Sequence, residues 1–284
     1  MSKFLRRAYL EVGNISMEDI RIAFKVEKSL VGYPNLAKIS VYNLKASNRK
    51  LIEDTATSVQ LFAGYSDVLP LLFSGDVINV IHLKQKTDWI SDIYCGDAST
   101  VLNSATINKT MTAGATQEQI FNTLVDATTG LSKGVLEGLS NCLSNKQSLL
   151  RGLQLTGNIK DWLKHIAEQC GLDYAITDNV IDTMPKGQPL TDDPVVVINQ
   201  TTGMIGSPER TDVGLTVKHL LLPTLRLGRR FKVESISTKI NVGNLNFRKV
   251  DNLKDEGTFR VSKLVHEGDT HGQNWLTTIS GMNF

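Results

Sequence analysis

The residues best equipped for chemistry lie in one short run, His266-Glu267-Gly268-Asp269-Thr270-His271. Two imidazoles and two carboxylates within six residues are the donor types a divalent metal takes. Their spacing is not helical, and no third anchor stands nearby. Gly268, Asp269 and Thr270 have their own reason to be there, as turn formers. The run therefore reads as a polar hairpin loop between strands, and neither His266 nor His271 is expected to hold a metal. Cys95 or Cys170 beside a histidine could in principle make a thiol hydrolase, but no accompanying signature is present. Ser74 sits in Phe73-Ser74-Gly75-Asp76, which is not the GxSxG elbow of a serine hydrolase. Neither a GxGxxG nor a Walker loop occurs. Arg226-Leu227-Gly228-Arg229-Arg230 could meet an anion, but reads as a strand-linking turn with solvated arginines. No catalytic, cofactor-binding or metal residue is assigned, and the chain is not expected to be an enzyme.

The elements that would position these residues follow from composition and patterning. With 284 residues, 41% of them hydrophobic, the chain can fill one to three globular cores. Net charge is +2 overall, which gives no field strong enough to argue for a polyanion partner. No stretch approaches the roughly 18 apolar residues of a membrane helix, and the start of the sequence lacks a signal-peptide pattern. Insertion of this chain into a membrane is not expected. Cys95, Cys142 and Cys170 are odd in number and far apart, so the expectation is folding in a reducing cytosol with no intrachain disulfide.

Residues 1–105 read as strands. Ile20 to Glu27 and Ala37 to Leu44 alternate apolar and polar with period two, the pattern of half-buried antiparallel strands. Gly32-Tyr33-Pro34-Asn35 between them is a turn signal. Further strands are expected at 59–65, 71–83 and 89–95, with one or two helical turns over 47–53 capped by Ser47. After residue 105 the period changes. Apolar residues at helical spacing mark helices over 117–125 and 158–169. Both helices follow a glycine and both end near Gly-Leu, as a left-handed cap would. Asp178-Asn179 then splits two short strands, giving a βαββ module. From residue 192 strands return, at 195–199, 214–222, 231–236, 257–267 and 275–280, with 201–212 read as a loop. The expectation is an α+β fold, mainly β: two strand-rich domains, 1–105 and 192–284, flank an α+β insert at 106–191.

The order of several stretches resembles a known family. Pro34 to Leu44, Leu61 to Tyr65, Leu72 to Val77, Trp89 to Ile93 and Gly96 to Ala98 are similar to the first domain of baseplate hub proteins of contractile-tailed bacteriophages. Arg151 to Gly157 and Gly171 to Tyr174 continue the likeness. So do Gly206 to Asp212, Leu220 to Leu225, Gly257 to Val261 and His266 to Trp275. The resemblance implies two β-barrels related to the tail-tube subunit. Three chains would then form a pseudo-hexameric ring joining the hexameric tube to the trimeric spike. It implies a homotrimer whose partners are the spike, the tube or tube-initiator protein and, in the lumen, the tape measure protein. Viral DNA would pass through without specific binding. The place would be the virion baseplate, after assembly in the host bacterial cytoplasm. No cofactor is implied. The alternatives are another tail or type VI-like ring component, such as a distal tail or tube protein, or a hydrolase on a β-scaffold.

Overall fold

The structure is a computed structural model and describes residues 5–30, 35–66, 68–97, 102, 104–139, 142, 149–211, 214–234 and 257–284. The turn expected at Gly32 to Pro34 and the end of the strand expected over 231–236 lie outside the described residues.

The period-two stretches become strands. The first third holds β1 (Arg6–Val12), β2 (Ile15–Met17), β3 (Ile22–Ser29), β4 (Leu36–Tyr42), β5 (Ser58–Tyr65), β6 (Leu71–Gln85) and β7 (Asp88–Gly96), with α1 (Ala46–Thr55) after β4. Along β3, Ile22, Phe24 and Val26 are buried while Lys25 and Glu27 face away. The antiparallel register sets Phe24 opposite Ile39 and Ile39 opposite Ile93, so one face of β3, β4 and β7 is continuously apolar. That face and β1, β5 and β6 enclose a core of Leu10, Leu61, Phe73, Ile93 and their neighbours. Helix α1 starts from Lys45 without a side-chain cap, so Ser47 lies inside it rather than at the cap.

The middle region has β8 (Thr106–Met111), α2 (Gln117–Asp126), β9 (Ser132–Leu136), β10 (Leu153–Asn158), α3 (Ile159–Cys170), β11 (Leu172–Thr177) and β12 (Val180–Pro185). Thr116 and Gln119 form a reciprocal capping box on α2. Asn158 caps α3, which ends on Gly171 in the left-handed conformation (φ 62°), as the glycine predicts. Helix α2 instead ends on Ala127 in a right-handed conformation, three residues before Gly130. Ile120, Leu124, Ile159, Leu163 and Ile166 point from the two helices into a second core. The βαββ order is present as β10-α3-β11-β12. Yet β10 bonds to β8, and the β11–β12 hairpin takes β9 as its third strand, parallel to β12.

The last third holds β13 (Val196–Ile198), β14 (Met204–Arg210), β15 (Gly214–Leu220), β16 (Arg230–Val233), β17 (Gly257–Asp269) and β18 (Trp275–Met282) around a third core. The loop expected over 201–212 contains a strand instead. β14 pairs antiparallel with β15, with an irregularity between Ile205 and Glu209 where Gly206 takes φ 72°. Gly206 and Pro208 read as loop residues, but an edge strand tolerates both a bulge and a missing N–H.

One sheet joins the first and last thirds. Its order runs β14-β15-β18-β17-β3-β4-β7-β6-β5-β1-β2, with β13 and β16 attached beside β17. The junction is the antiparallel pairing of β17 with β3, from Lys263 opposite Ser29 to Asp269 opposite Ala23. The β17–β18 hairpin serves both cores. Val261, Leu264 and Ile279 pack in the third. Trp275 reaches the first, edge-on to Phe24 with ring centroids 5.4 Å apart. Gly268 makes room for that pair, since a Cβ there would lie 2.2 Å from the Phe24 ring. The fold is mainly β, in the α+β class.

Candidate functional site

The His266 to His271 run spans the end of β17 and the turn before β18, and strand alternation pulls its ligand types apart. His266 points into the protein and is fully buried. Its Nδ1 lies 2.9 Å from Thr277 Oγ1, and that oxygen accepts the Leu222 N–H at 2.9 Å. The hydroxyl retains its own proton, which it can donate to Nδ1 of a neutral ring. Burial, reinforced by the charge of Lys28, pushes the imidazole down to about 3. Asp269 faces outward, where Arg21 holds it at 2.7 Å. Arg21 in turn lies over the Tyr42 ring, 4.3 Å from its centroid. His271 is exposed in the turn, and its N–H donates to Asp269 Oδ1 at 2.9 Å. The two imidazoles do not converge. Among the described residues, no group of three or more His, Cys, Asp or Glu is placed to hold a metal ion.

The other candidates are occupied structurally. Cys95 is buried, and burial pushes its thiol up to about 12, with Asp76 adding to the effect. Such a thiol is a poor nucleophile. Cys170 is disulfide-bonded to Cys142, with Cα atoms 4.9 Å apart, which overturns the expectation of no disulfide. An odd count leaves one cysteine over without forbidding a pair. Folding brings Cys170, the last residue of α3, against Cys142, 28 positions earlier, within bridging range. The basic run 226–230 does contain a turn, with Arg226 exposed, but not all of its arginines are solvated. Arg229 is buried and forms ion pairs with Asp193 (2.9 Å), Asp192 and, at 4.0 Å, Asp182. Its acids come from two separate segments, which local sequence could not bring together.

The most concentrated buried polar cluster was missed. The Asp178 carboxylate receives Lys28 Nζ at 2.9 and 2.7 Å and the Ser74 N–H at 3.1 Å. Asp97 accepts Asn35 Nδ2 at 2.6 Å, Asn35 N–H at 3.1 Å and Asp178 N–H at 3.2 Å. Burial raises Asp97 to about 6 against the pull of Asn35, and the charge of Asp178 adds to the rise. Asp178 and Asn179 both have positive φ, 54° and 64°, so the hairpin turn drives its first side chain into the sheet junction. On its far side the same hairpin is held by Arg260 on Asp173 at 2.8 Å. The signal was in the sequence: Lys28 stands at an inward position of the 22, 24, 26, 28 alternation, where an apolar residue is the rule.

Among the described residues, two stretches of strand in the shared sheet are paired on one side only. The outward face carries ion pairs, Lys25–Glu27 at 2.8 Å within β3 and, across strands, Lys38–Asp92 at 2.8 Å and Lys263–Glu27 at 3.4 Å. Positive and negative groups alternate, so no single-sign patch forms there. Apolar side chains are exposed on β6, with Ile81 and Leu83, and on the end strand β14, with Ile205. Among the described residues, β14 pairs only with β15, and β6 beyond Asp76 pairs only with β7. No helix among them is long and apolar enough to cross a membrane.

The polar clusters inside join the parts of the chain, and the comparisons with known proteins bear on the fold they hold together. The chain is similar in fold to the 43 kDa tail protein of prophage MuSo2 from Shewanella oneidensis (8% identity, TM-score 0.62, 98% of each chain covered). A tail protein from Neisseria meningitidis MC58 aligns likewise (10%, TM-score 0.63, 99% of this chain and 97% of that one). So does the E. coli c3393 protein, a type VI secretion component described as structurally similar to the phage T4 tail proteins gp27 and gp5 (11%, TM-score 0.58, 97% and 76%). At these identities the likeness establishes the fold. No curated protein matches the sequence. The Baseplate hub gp41 family, however, matches residues 7–244. A match over that much of the sequence decides the matter, and the chain belongs to the Baseplate hub gp41 family.

Proposed function

We propose that the chain is a non-enzymatic structural subunit that closes as a homotrimer into a ring between the tail tube and the spike. The observation that carries this reading is that, among the described residues, the end strand β14 and the part of β6 beyond Asp76 are each paired on one side only. Free strand edges invite pairing and have to be covered. β14 offers 7 residues at one end of the sheet, and β6 offers a similar length within it, from Ile78 to Gln85. A heterologous contact that joins these two stretches in successive copies terminates when rotation closes the ring. The first and last thirds are then two tube-like barrels, 1–105 and 192–284, and the insert, 106–191, braces them. Three chains supply six barrels, matching a hexameric tube on one face and a trimeric spike on the other. The balanced ion pairs of the outward face suit a wall past which DNA moves without being held. The chain would assemble in the bacterial cytoplasm and reside in the baseplate.

The test is the stoichiometry of the purified chain mixed with its spike, read by mass photometry. Three copies per spike trimer are expected. A complex holding only one or two copies would sink the reading.

A further inference from the structure

We infer that Cys142 and Cys170 form a staple that closes only after the chain has folded. The core of the middle region is complete without it. Ile120, Leu124, Leu155, Ile159, Leu163 and Ile181 are each buried to within 1% exposure, and both helices carry their own caps. A folded dithiol form is therefore available, in which the sulfurs already lie within bonding range because their Cα atoms are 4.9 Å apart. The third cysteine does not compete: Cys95 is buried beneath the first core, and its thiol is pushed up to about 12.

The surroundings make closure slow. Cys142 is buried and Cys170 half-buried, so an external reagent meets Cys170 first. Cys170 is the last residue of α3, at the negative end of the helix dipole, which works against an anionic sulfur. A small-molecule disulfide, such as oxidised glutathione, is the oxidant. The Cys170 thiolate attacks one of its sulfurs and releases one small thiol. Cys142, having lost its proton, then displaces the second small thiol. Two protein thiols become one disulfide, and one small disulfide becomes two thiols. The placing of closure after release from a reducing cytosol rests on the proposed function. The chemistry itself does not depend on it.

The experiment uses the purified full chain, so the outcome of the stoichiometry test leaves it untouched. Protein reduced in native buffer and then denatured in acid and alkylated should carry three labels per chain. After native incubation with oxidised glutathione it should carry one, and the same should hold in its two-label version for Cys95→Ser, which should lose both. The reduced protein and the double variant Cys142→Ser, Cys170→Ser should keep the circular dichroism of the oxidised form. They should unfold roughly 5–10 °C lower. A double variant that fails to fold would overturn the inference, because the bond would then be part of folding. Labels that stay at three after oxidation would overturn it as well.

Discussion

A histidine that looks like a ligand in the sequence is, in the fold, a buried neutral ring, and this has a measurable cost in acid. His266 titrates near 3 in the folded chain against 6.5 when exposed. Below pH 6.5 the unfolded chain takes up a proton that the folded one refuses, so this group's contribution to stability is lost as pH falls towards 3. The loss is about 1.4 kcal/mol per pH unit. Asp97 has the opposite sign. It is raised from 3.8 to about 6, so between those values the folded chain holds the proton more tightly, and stability rises as pH falls from 6. Urea unfolding at pH 6.5 and 5 should show the His266→Gln variant gaining about 2 kcal/mol relative to the wild type across that interval. The Asp97→Asn variant should instead lose about 1 kcal/mol relative to the wild type between pH 6 and 5. Equal pH slopes for His266→Gln and the wild type would show that the ring is solvated.

At the scale of elements, the β11–β12 hairpin is the part on which the junction depends. Its turn places Asp178 against Lys28, both nearly buried, at 2.7 Å. Removing one charge leaves the other buried and uncompensated, which typically costs 3–5 kcal/mol, whereas removing both can be nearly neutral. Asp178→Asn keeps a residue that tolerates positive φ and should destabilise the chain by about 3 kcal/mol. Adding Lys28→Met should restore most of that loss in a denaturation cycle. A double variant no more stable than the single one would mean that the pair does more than neutralise itself. The hairpin also marks how far the sequence could be read. Asp178-Asn179, the period of β3 and β4, and the stripes of α2 and α3 were legible because local spacing decides them. The partners of Lys28 and Arg229, the strand at β14 and the Cys142–Cys170 bond were not. Each depends on residues far apart in the chain meeting in space, or on an edge position excusing a glycine and a proline.

At the scale of the whole molecule, the sheet that unites the two ends of the chain also sets where another copy can attach. Its middle is paired on both sides and lined with ion pairs. The singly paired part of β6 exposes Ile81 (38%) and Leu83 (46%), and the end strand β14 exposes Ile205 (42%). Large apolar side chains on such strands, beside a charged middle, are what a contact between copies would cover. If β6 of one copy meets β14 of the next, a charge on either strand should weaken the ring without unfolding the subunit, because each side chain is already partly in water. Ile81→Lys alone and Ile205→Glu alone should each leave the melting temperature within a few degrees of wild type. Each should also reduce the number of copies found on the spike. In the doubly substituted chain, every seam sets a lysine from one copy near a glutamate from the next, and opposite charges on neighbouring strands attract. Assembly should then recover in part, and more at low salt than at high, because the restoring term is electrostatic. Recovery of this kind cannot come from a single strand acting alone. If the double variant assembles no better than the worse of the two single ones at low salt, β6 and β14 do not face each other between copies, and the ring must close along another pair of surfaces.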